Sequence, residues 1–495
     1  MIYIILALSP IIIVVIGVLV CKKSTLNSGF FALLITVLIS LNINFYKIDI
    51  FQLIEVVKSA TILSLSAIMV IVSGLYLNNI IRVQKYIDRM AFEIEQISIS
   101  KENKVLILLL GFLPAVESLT GFGVSLLIGI PVFFKLFPEK KAFKLSLLGM
   151  NIMPWGTLGL ATVIGSNLIQ YPVRQLGTIT SLTSFLVFPY IGLVSLLVIG
   201  GLSSLQKYAI KALIMGTTFS YILLINNYFI APETAGVFAG IITGLLGFSW
   251  SYPKDIDFKI LIYFHRIKAF LPYILILILM AIVRFISPIN HFLSNLLILK
   301  SNSVNLNVFT NPGTILLLVA FIMKTIKPVS VSLVESLKKA QNACLSILCF
   351  LLLSRMMLET GMIKVISQGI STHANQSLFI MLSPLIGMFS GFLTGSNVGG
   401  NALLIRTQSE IGQQFGHSLL FAAAHNSGAG HIVFSSIPML IFVLAIVKEE
   451  RGLDKLAMKE SNLLIFTLRV SIGIYLAIFC SLYILVSSNL ENLIF

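Results

Sequence analysis

Apolar stretches of close to twenty residues recur along this chain from Ile2 to its last fifty positions. A helix of that length spans the roughly 30 Å hydrocarbon core of a bilayer. Candidate spans lie at 2–20, 28–46, 60–81, 145–170, 179–201, 211–230, 233–250, 268–287, 312–326, 341–358, 416–447 and 462–487. No stretch between them is large enough for a separate soluble domain. Charged residues are 11% of the 495 positions, where a soluble surface needs roughly 25%. The sequence therefore predicts an all-α polytopic membrane protein with about 12 transmembrane helices. Ile2–Val20 has no basic n-region or small-residue cleavage site, so it reads as a span and not as a signal peptide.

The net charge of +15 does not form a patch of the kind that binds nucleic acid. It is divided among short loops, as positive-inside topology requires. Cys21, Cys344, Cys349 and Cys480 lie in or beside apolar segments without a spaced His or second Cys pair, so neither disulfide, metal nor cofactor is indicated.

Two apolar regions, 105–137 and 376–406, are too long or too interrupted for simple spans. Pro114 and Gly121-Phe122-Gly123 break the first; Gly391 and the Thr394–Asn401 stretch break the second. Loop charge decides how they sit. With the N-terminus outside and each region a hairpin returning to its own side, 25 of the 34 Lys and Arg are cytoplasmic. The other nine are Lys47, Lys58, Arg174, Arg284, Lys300, Arg355, Lys364, Arg406 and Arg469. If 105–137 crossed once, the basic loops at 135–144, 207–211 and 254–268 would all face outward, against the rule. The hairpin reading places the first hairpin on the cytoplasmic side and the second on the outside. Each then has three spans before it and two after. This predicts inverted-topology repeats, 1–205 and 261–495, joined by connecting spans in 206–260. Paired interruptions in corresponding positions of inverted halves point to a transporter's substrate site.

Broken backbone at membrane depth is tolerated only where protein or a water-filled cavity satisfies it. Four such segments stand out: Glu117–Gly123, Asn151–Gly156, Thr394–Asn401 and Asn426–Gly430. Gly admits close backbone approach, a restarting helix offers free N–H groups, and Ser, Thr and Asn add neutral donors. That chemistry suits a carboxylate. The expected substrate-binding residues are Gly121, Phe122, Gly123, Asn151, Thr394, Gly395, Ser396, Asn397, Asn401, Asn426, Ser427 and Gly428. The alternative is that Gly and Ser serve helix packing; for one isolated Gly-Phe-Gly that reading wins, and four segments in matched positions carry the site reading. Glu117 is the lone acid in the core of the first hairpin region, where an ionised carboxyl is expensive. It is either a proton-coupling group or a cap that accepts backbone N–H bonds at the Gly121 turn. His425 beside Asn426 is the second proton-coupling candidate, and His417 and His431 read as structural. Arg355 and Glu359, four apart on a helix, pair with each other by default. Arg406 either steers anions or snorkels to the interface.

These segments resemble the lactate permease family of the ion-transporter superfamily. Glu117-x-x-x-Gly121-Phe122-Gly123 is similar to its Glu-x-x-x-Gly-Phe-Gly element, and Asn151-x-x-Pro154-x-Gly156-x-x-Gly159 to the span that follows. Thr394-Gly395-Ser396-Asn397-x-x-x-Asn401-Ala402-Leu403 and Ala424-His425-Asn426-Ser427-Gly428 resemble its later stretches, in family order over roughly residues 100–440. His425 stands where that family usually has Ala, and Asn397 where it often has Asp. The resemblance implies uptake of lactate or a related 2-hydroxymonocarboxylate with protons, through inverted repeats with discontinuous helices. The partners it implies are a small organic anion, H+ and the bilayer of a bacterial inner membrane. The runner-up is a Na+- or H+-coupled carrier of di- or tricarboxylates. A channel would need a continuous polar path, which no span carries. An enzyme would need more than Ser427 near His425 or His431 without an orienting third group.

Overall fold

The computed structural model describes residues 2–121, 123–251, 268–301, 304–451 and 460–488. Phe122 lies outside the described residues, as do Lys254, Lys259, Arg266, Lys455 and Lys459 of the basic loops. Eleven described helices are long and apolar enough to cross a bilayer, or twelve if one bent pair counts as a span. The chain is a multi-pass membrane protein.

It opens with α1 (Ile2–Leu19), α2 (Thr25–Asn42) and α3 (Ile50–Val83). Ser24 caps α2, and Asp49 with Gln52 forms a capping box that starts α3. At 34 residues α3 is about 50 Å long, more than a bilayer core requires. A short amphipathic helix, α4 (Tyr86–Glu95), follows it. Then come α5 (Lys101–Thr120) and α6 (Val124–Leu136), folded back on each other at Gly121–Gly123. Pro114 does not break α5 as expected: it follows a π-helical stretch at Leu108–Phe112 and sits in the first turn of the next segment, where its missing N–H costs little.

Next, α7 (Glu139–Leu148) and α8 (Gly156–Ile169) are bent by 50° across the expected Asn151–Gly156 interruption. The expected span 179–201 is itself divided, into α9 (Val173–Thr183) and the start of α10 (Val187–Phe229). Gly201, with φ +65°, kinks α10 into two helices. The helix α11 (Pro232–Ser251) packs against α10 and α5. After it come α12 (Leu271–Phe285), α13 (Ser287–Leu296) and a two-stranded antiparallel hairpin, β1 (Ile298–Lys300) with β2 (Asn305–Asn307). The helical architecture expected from sequence thus carries one small β-hairpin.

The remainder is α14 (Pro312–Ile326), α15 (Leu333–Glu359), α16 (Met362–His373), α17 (Gln376–Thr394), α18 (Asn397–Gln414), α19 (Ser418–His431), α20 (Ile437–Arg451) and α21 (Glu460–Ser487). Two expectations change here. Gly391 stays inside α17, so the second hairpin breaks only at Gly395–Ser396, and Asn397–Asn401 begins α18. Asn426–Gly430 is continuous helix, and its span is interrupted after it, between His431 and Ile437. The glycines explain why the helix persists: a Cβ at Gly428 would lie 2.7 Å from the Pro384 carbonyl oxygen, and one at Gly430 2.5 Å from Pro154 Cδ. They permit close packing between helices and do not break one.

α1, α2, α3, α14 and α15 pack together, while α17, α18 and α19 form a second cluster joined to α8 and α9. Phe30, Phe31, Leu34 and Leu38 leave one face of α2 exposed and apolar, as a lipid-facing surface requires.

Candidate functional site

Both hairpin tips turn on left-handed backbone that favours glycine. Gly121 has φ +68° and Gly395 has φ +66°. At the first tip Glu117 is fully buried and folds back over the turn. Its Oε1 accepts from the Gly123 N–H at 3.0 Å; its Oε2 accepts from the Ser125 N–H at 3.1 Å and the Ser125 hydroxyl at 2.8 Å. These are the unpaired donors at the start of α6, so the carboxylate fills that positive helix end itself. This is the cap arrangement weighed against a proton-coupling role. At the second tip Ser396 caps α18 through the Gly399 N–H at 3.4 Å, and no acidic side chain occupies the first turn.

The two tips meet at a central cavity of about 240 Å³. Glu117 and Gly123 line it from the first hairpin, and Gly395, Ser396, Asn397 and Val398 from the second. Met150, Met153, Gly156 and Thr157 come from one interrupted span, Val433 and Met439 from the other. Ile71 of α3 with Ala343 and Ile347 of α15 close the remaining wall. A second cavity of about 200 Å³ shares Thr157 and Leu160 with the first and reaches Glu233, Arg284 and β2. A third, of about 380 Å³, shares Ala343, Ile347, Gly395 and Ser396 and reaches Ser24–Asn27. The loop-charge expectation assigns these two to the outer and inner sides respectively, and they are labelled outer and inner on that expectation. Thr157, Leu158 and Gly159, between the outer and central cavities, adopt left-handed φ of +54°, +55° and +68°. Two non-glycine residues in that region cost of order 1–3 kcal/mol each.

The other expected site residues, among those described, lie outside the cavity wall. Asn426 is fully buried and uses both ends of its amide: Nδ2 donates to Thr162 at 2.9 Å and Thr180 at 3.1 Å, and Oδ1 accepts from Asn401 at 2.8 Å and Asn397 at 3.2 Å. Asn401 also donates to the Ala161 carbonyl at 2.9 Å. Ser427 bonds Thr183 at 2.6 Å and Ser184 at 2.9 Å, and neither His425 nor His431. His425 Nε2 lies 3.1 Å from the Gly400 carbonyl oxygen, and His431 Nε2 3.0 Å from Ser184 Oγ. Asn151 donates to the Leu148 carbonyl at 3.2 Å. Thr394 lines the inner cavity, Gly121 packs against Thr157, and Gly428 against α17. Asn401, Asn426 and Ser427 thus bind the two halves of the chain to each other.

Arg355 departs from its expected partner. It donates to the Asn167 carbonyl at 3.2 Å, while Arg406 donates to the Ile169 carbonyl at 3.1 Å and pairs with Glu410. Together they cap the C-terminal end of α8 with positive charge. Sequence reasoning missed the hydroxyl partners Thr162, Thr180, Thr183 and Ser184. The run Thr178-Ile179-Thr180-Ser181-Leu182-Thr183-Ser184 inside an apolar span was the available signal.

The family model described as L-lactate permease matches residues 3–311 and 292–489. This chain belongs to the L-lactate permease family. A curated relative from Streptococcus iniae named L-lactate permease is 25% identical over 335 residues, covering 62% of this chain and 69% of that protein. A permease family points to a transporter rather than an enzyme.

Proposed function

We propose that the chain is a secondary active transporter that takes up lactate or a related 2-hydroxymonocarboxylate in symport with H+, by alternating access, across a bacterial inner membrane. The observation that carries this is the central cavity, where both hairpin tips and both interrupted spans converge between an outer and an inner cavity. A three-carbon hydroxy acid has six non-hydrogen atoms and fills at most about 180 Å³ if each takes the roughly 30 Å³ of a water molecule. It therefore fits.

The open first turn of α18, at Asn397 and Val398, receives the carboxylate. Glu117 lies in the same wall, so an arriving anion and an ionised Glu117 disfavour each other in a poorly solvated space. Binding of the anion together with one proton removes that repulsion. Of the two coupling candidates Glu117 is therefore preferred; His425 is held outside the cavity wall. The inverted-repeat reading belongs to the same proposal: 101–136 with 139–169 and 376–414 with 418–451 each supply one hairpin and one interrupted span.

Counterflow of labelled carboxylates into proteoliposomes, with and without a pH gradient, tests this reading. Saturable lactate counterflow, with net accumulation driven by a gradient acid outside, is expected. Non-saturating conductance, or accumulation driven by Na+ alone, would overturn it.

A further inference from the structure

The direction of each hydrogen bond around Asn426 follows from one fixed point. A backbone carbonyl only accepts, so the Thr162 hydroxyl, 2.6 Å from the Pro154 carbonyl oxygen, commits its single proton there. Thr162 Oγ1 must then accept from Asn426 at 2.9 Å, which places the Asn426 NH₂ on the Thr162 side and its Oδ1 on the other. That oxygen faces Asn401 and Asn397, so both must present their NH₂ groups to it. The orientation of Asn401 is fixed a second time, because the same Nδ2 donates to the Ala161 carbonyl. The two constraints agree.

The consequence falls on Asn397. With its NH₂ committed to Asn426, its Oδ1 points elsewhere and has no donor. Asn397 is 5% exposed and is one of the residues lining the central cavity, so a buried, unpaired acceptor sits directly behind that wall. Turning the amide over would set two carbonyl oxygens against each other and lose the bond to Asn426. A buried acceptor without a partner is costly and calls for an explanation. The remaining backbone N–H groups of the first turn of α18 are donors of the kind that favour an anion. Cavity wall and helix start therefore offer donors and one acceptor side by side, which a carboxylate with an adjacent O–H complements.

We propose that Asn397 is the specificity-determining residue of this cavity, its Oδ1 accepting the hydrogen bond of the substrate's 2-hydroxyl group. The proposal rests on the carboxylate reading above. A 2-oxo acid sets an acceptor against Oδ1, and an unsubstituted acid leaves Oδ1 unpaired. Each is expected to bind about tenfold more weakly than the hydroxy acid, or worse. Asn401 supplies an internal control: its Oδ1 is also unpaired, but Asn401 does not line the cavity.

The experiment is competition of labelled L-lactate uptake in proteoliposomes by lactate, glycolate, pyruvate and propionate. Binding to the purified protein is read in parallel as a thermal shift. The wild type should favour lactate and glycolate by about tenfold over pyruvate and propionate. Asn397→Ala should compress that preference to about twofold or less, chiefly by weakening the hydroxy acids. Asn397→Asp covers the case in which the Ala variant does not fold. In acidic medium its neutral carboxyl donates O–H to Asn426 and leaves a carbonyl oxygen in the wall, so the preference should persist there. A wild type that does not distinguish the four acids overturns the proposal while leaving carboxylate transport intact. So does an Asn397→Ala variant that keeps the preference, including one that loses a Na+ dependence, which would make Oδ1 a cation ligand. A wild type that neither binds nor carries any carboxylate overturns the transport reading itself, and this proposal with it.

Discussion

Replacing Glu117 by Gln separates the two roles that this carboxylate can have, because the shapes match while charge and one hydrogen-bond direction change. The Gly123 N–H at 3.0 Å still finds an oxygen. The new NH₂ meets the Ser125 N–H, 3.1 Å from the old Oε2, donor to donor. The Ser125 hydroxyl, 2.8 Å away, escapes by turning to accept. One buried N–H is thus left unpaired, which costs about 1–3 kcal/mol, and the bond to Gly123 loses its charge assistance. That loosens the tip of α5 and α6 without unfolding a chain held by this much packing. The transport effect is of another order. Two pH units are worth about 2.7 kcal/mol per proton, so a one-to-one symporter concentrates its anion up to about a hundredfold. In Glu117→Gln the proton site is gone, so accumulation in proteoliposomes should fall to near equilibrium while lactate counterflow continues. A folded Gln variant that still accumulates lactate at the wild-type level would show that Glu117 only caps Gly123 and Ser125.

Three further substitutions test the packing of the helices. Asn426→Ala strips the acceptor from Asn397 and Asn401 and the donor from Thr162 and Thr180, for a loss of about 2 kcal/mol or more. Purified protein should melt several degrees lower, and an unchanged melting temperature would show that the network does not join the halves. Gly391→Ala drives a Cβ into the Ala429 carbonyl, so α17 cannot seat on α19 and folded protein should be lost in fluorescence-detected gel filtration. Gly361→Ala, at φ +76° with open space around it, should cost only about 1 kcal/mol; equal behaviour of the two variants would refute the close-approach argument.

The spans were legible because the bilayer imposes length and hydropathy on each of them: 312–326 is read from sequence to the residue, and α21 within two. The tips were legible too, since glycine at Gly121 and Gly395 supplies left-handed backbone that other residues resist. Glycine was also where the reading misled. Gly391, Gly428 and Gly430 look like breaks, yet each lets one helix approach another, and only the partner helix distinguishes the two uses. The fate of Asn426 was hidden for a related reason. Its partners Thr162 and Thr180 lie more than 240 residues away, so nothing local marks it as a bolt between halves and not a ligand contact. Arg355 misled through the opposite error, a good local partner in Glu359 outcompeted by the carbonyls at the end of α8.

The two hairpin tips share a positive-φ glycine but differ in charge, and this asymmetry bears on how a single cavity handles an anion. Each tip starts a helix whose first N–H groups attract negative charge. At the first tip that demand is met from within the chain, by Glu117. At the second it is met only by the neutral Ser396 hydroxyl, in a wall of the same cavity. Two open tips would favour two carboxylates, or one dicarboxylate bridging them. One open tip beside a resident carboxylate favours a single carboxylate accompanied by a single proton. Stoichiometry would then be written in one residue. Removing the Glu117 charge should not only uncouple the carrier but also open the first tip to a second carboxyl group. Inhibition of lactate counterflow by succinate or malonate, weak in wild type and strengthened in Glu117→Gln, is the measurement that follows. Unchanged dicarboxylate inhibition in a folded variant would separate the cap from any part in substrate choice.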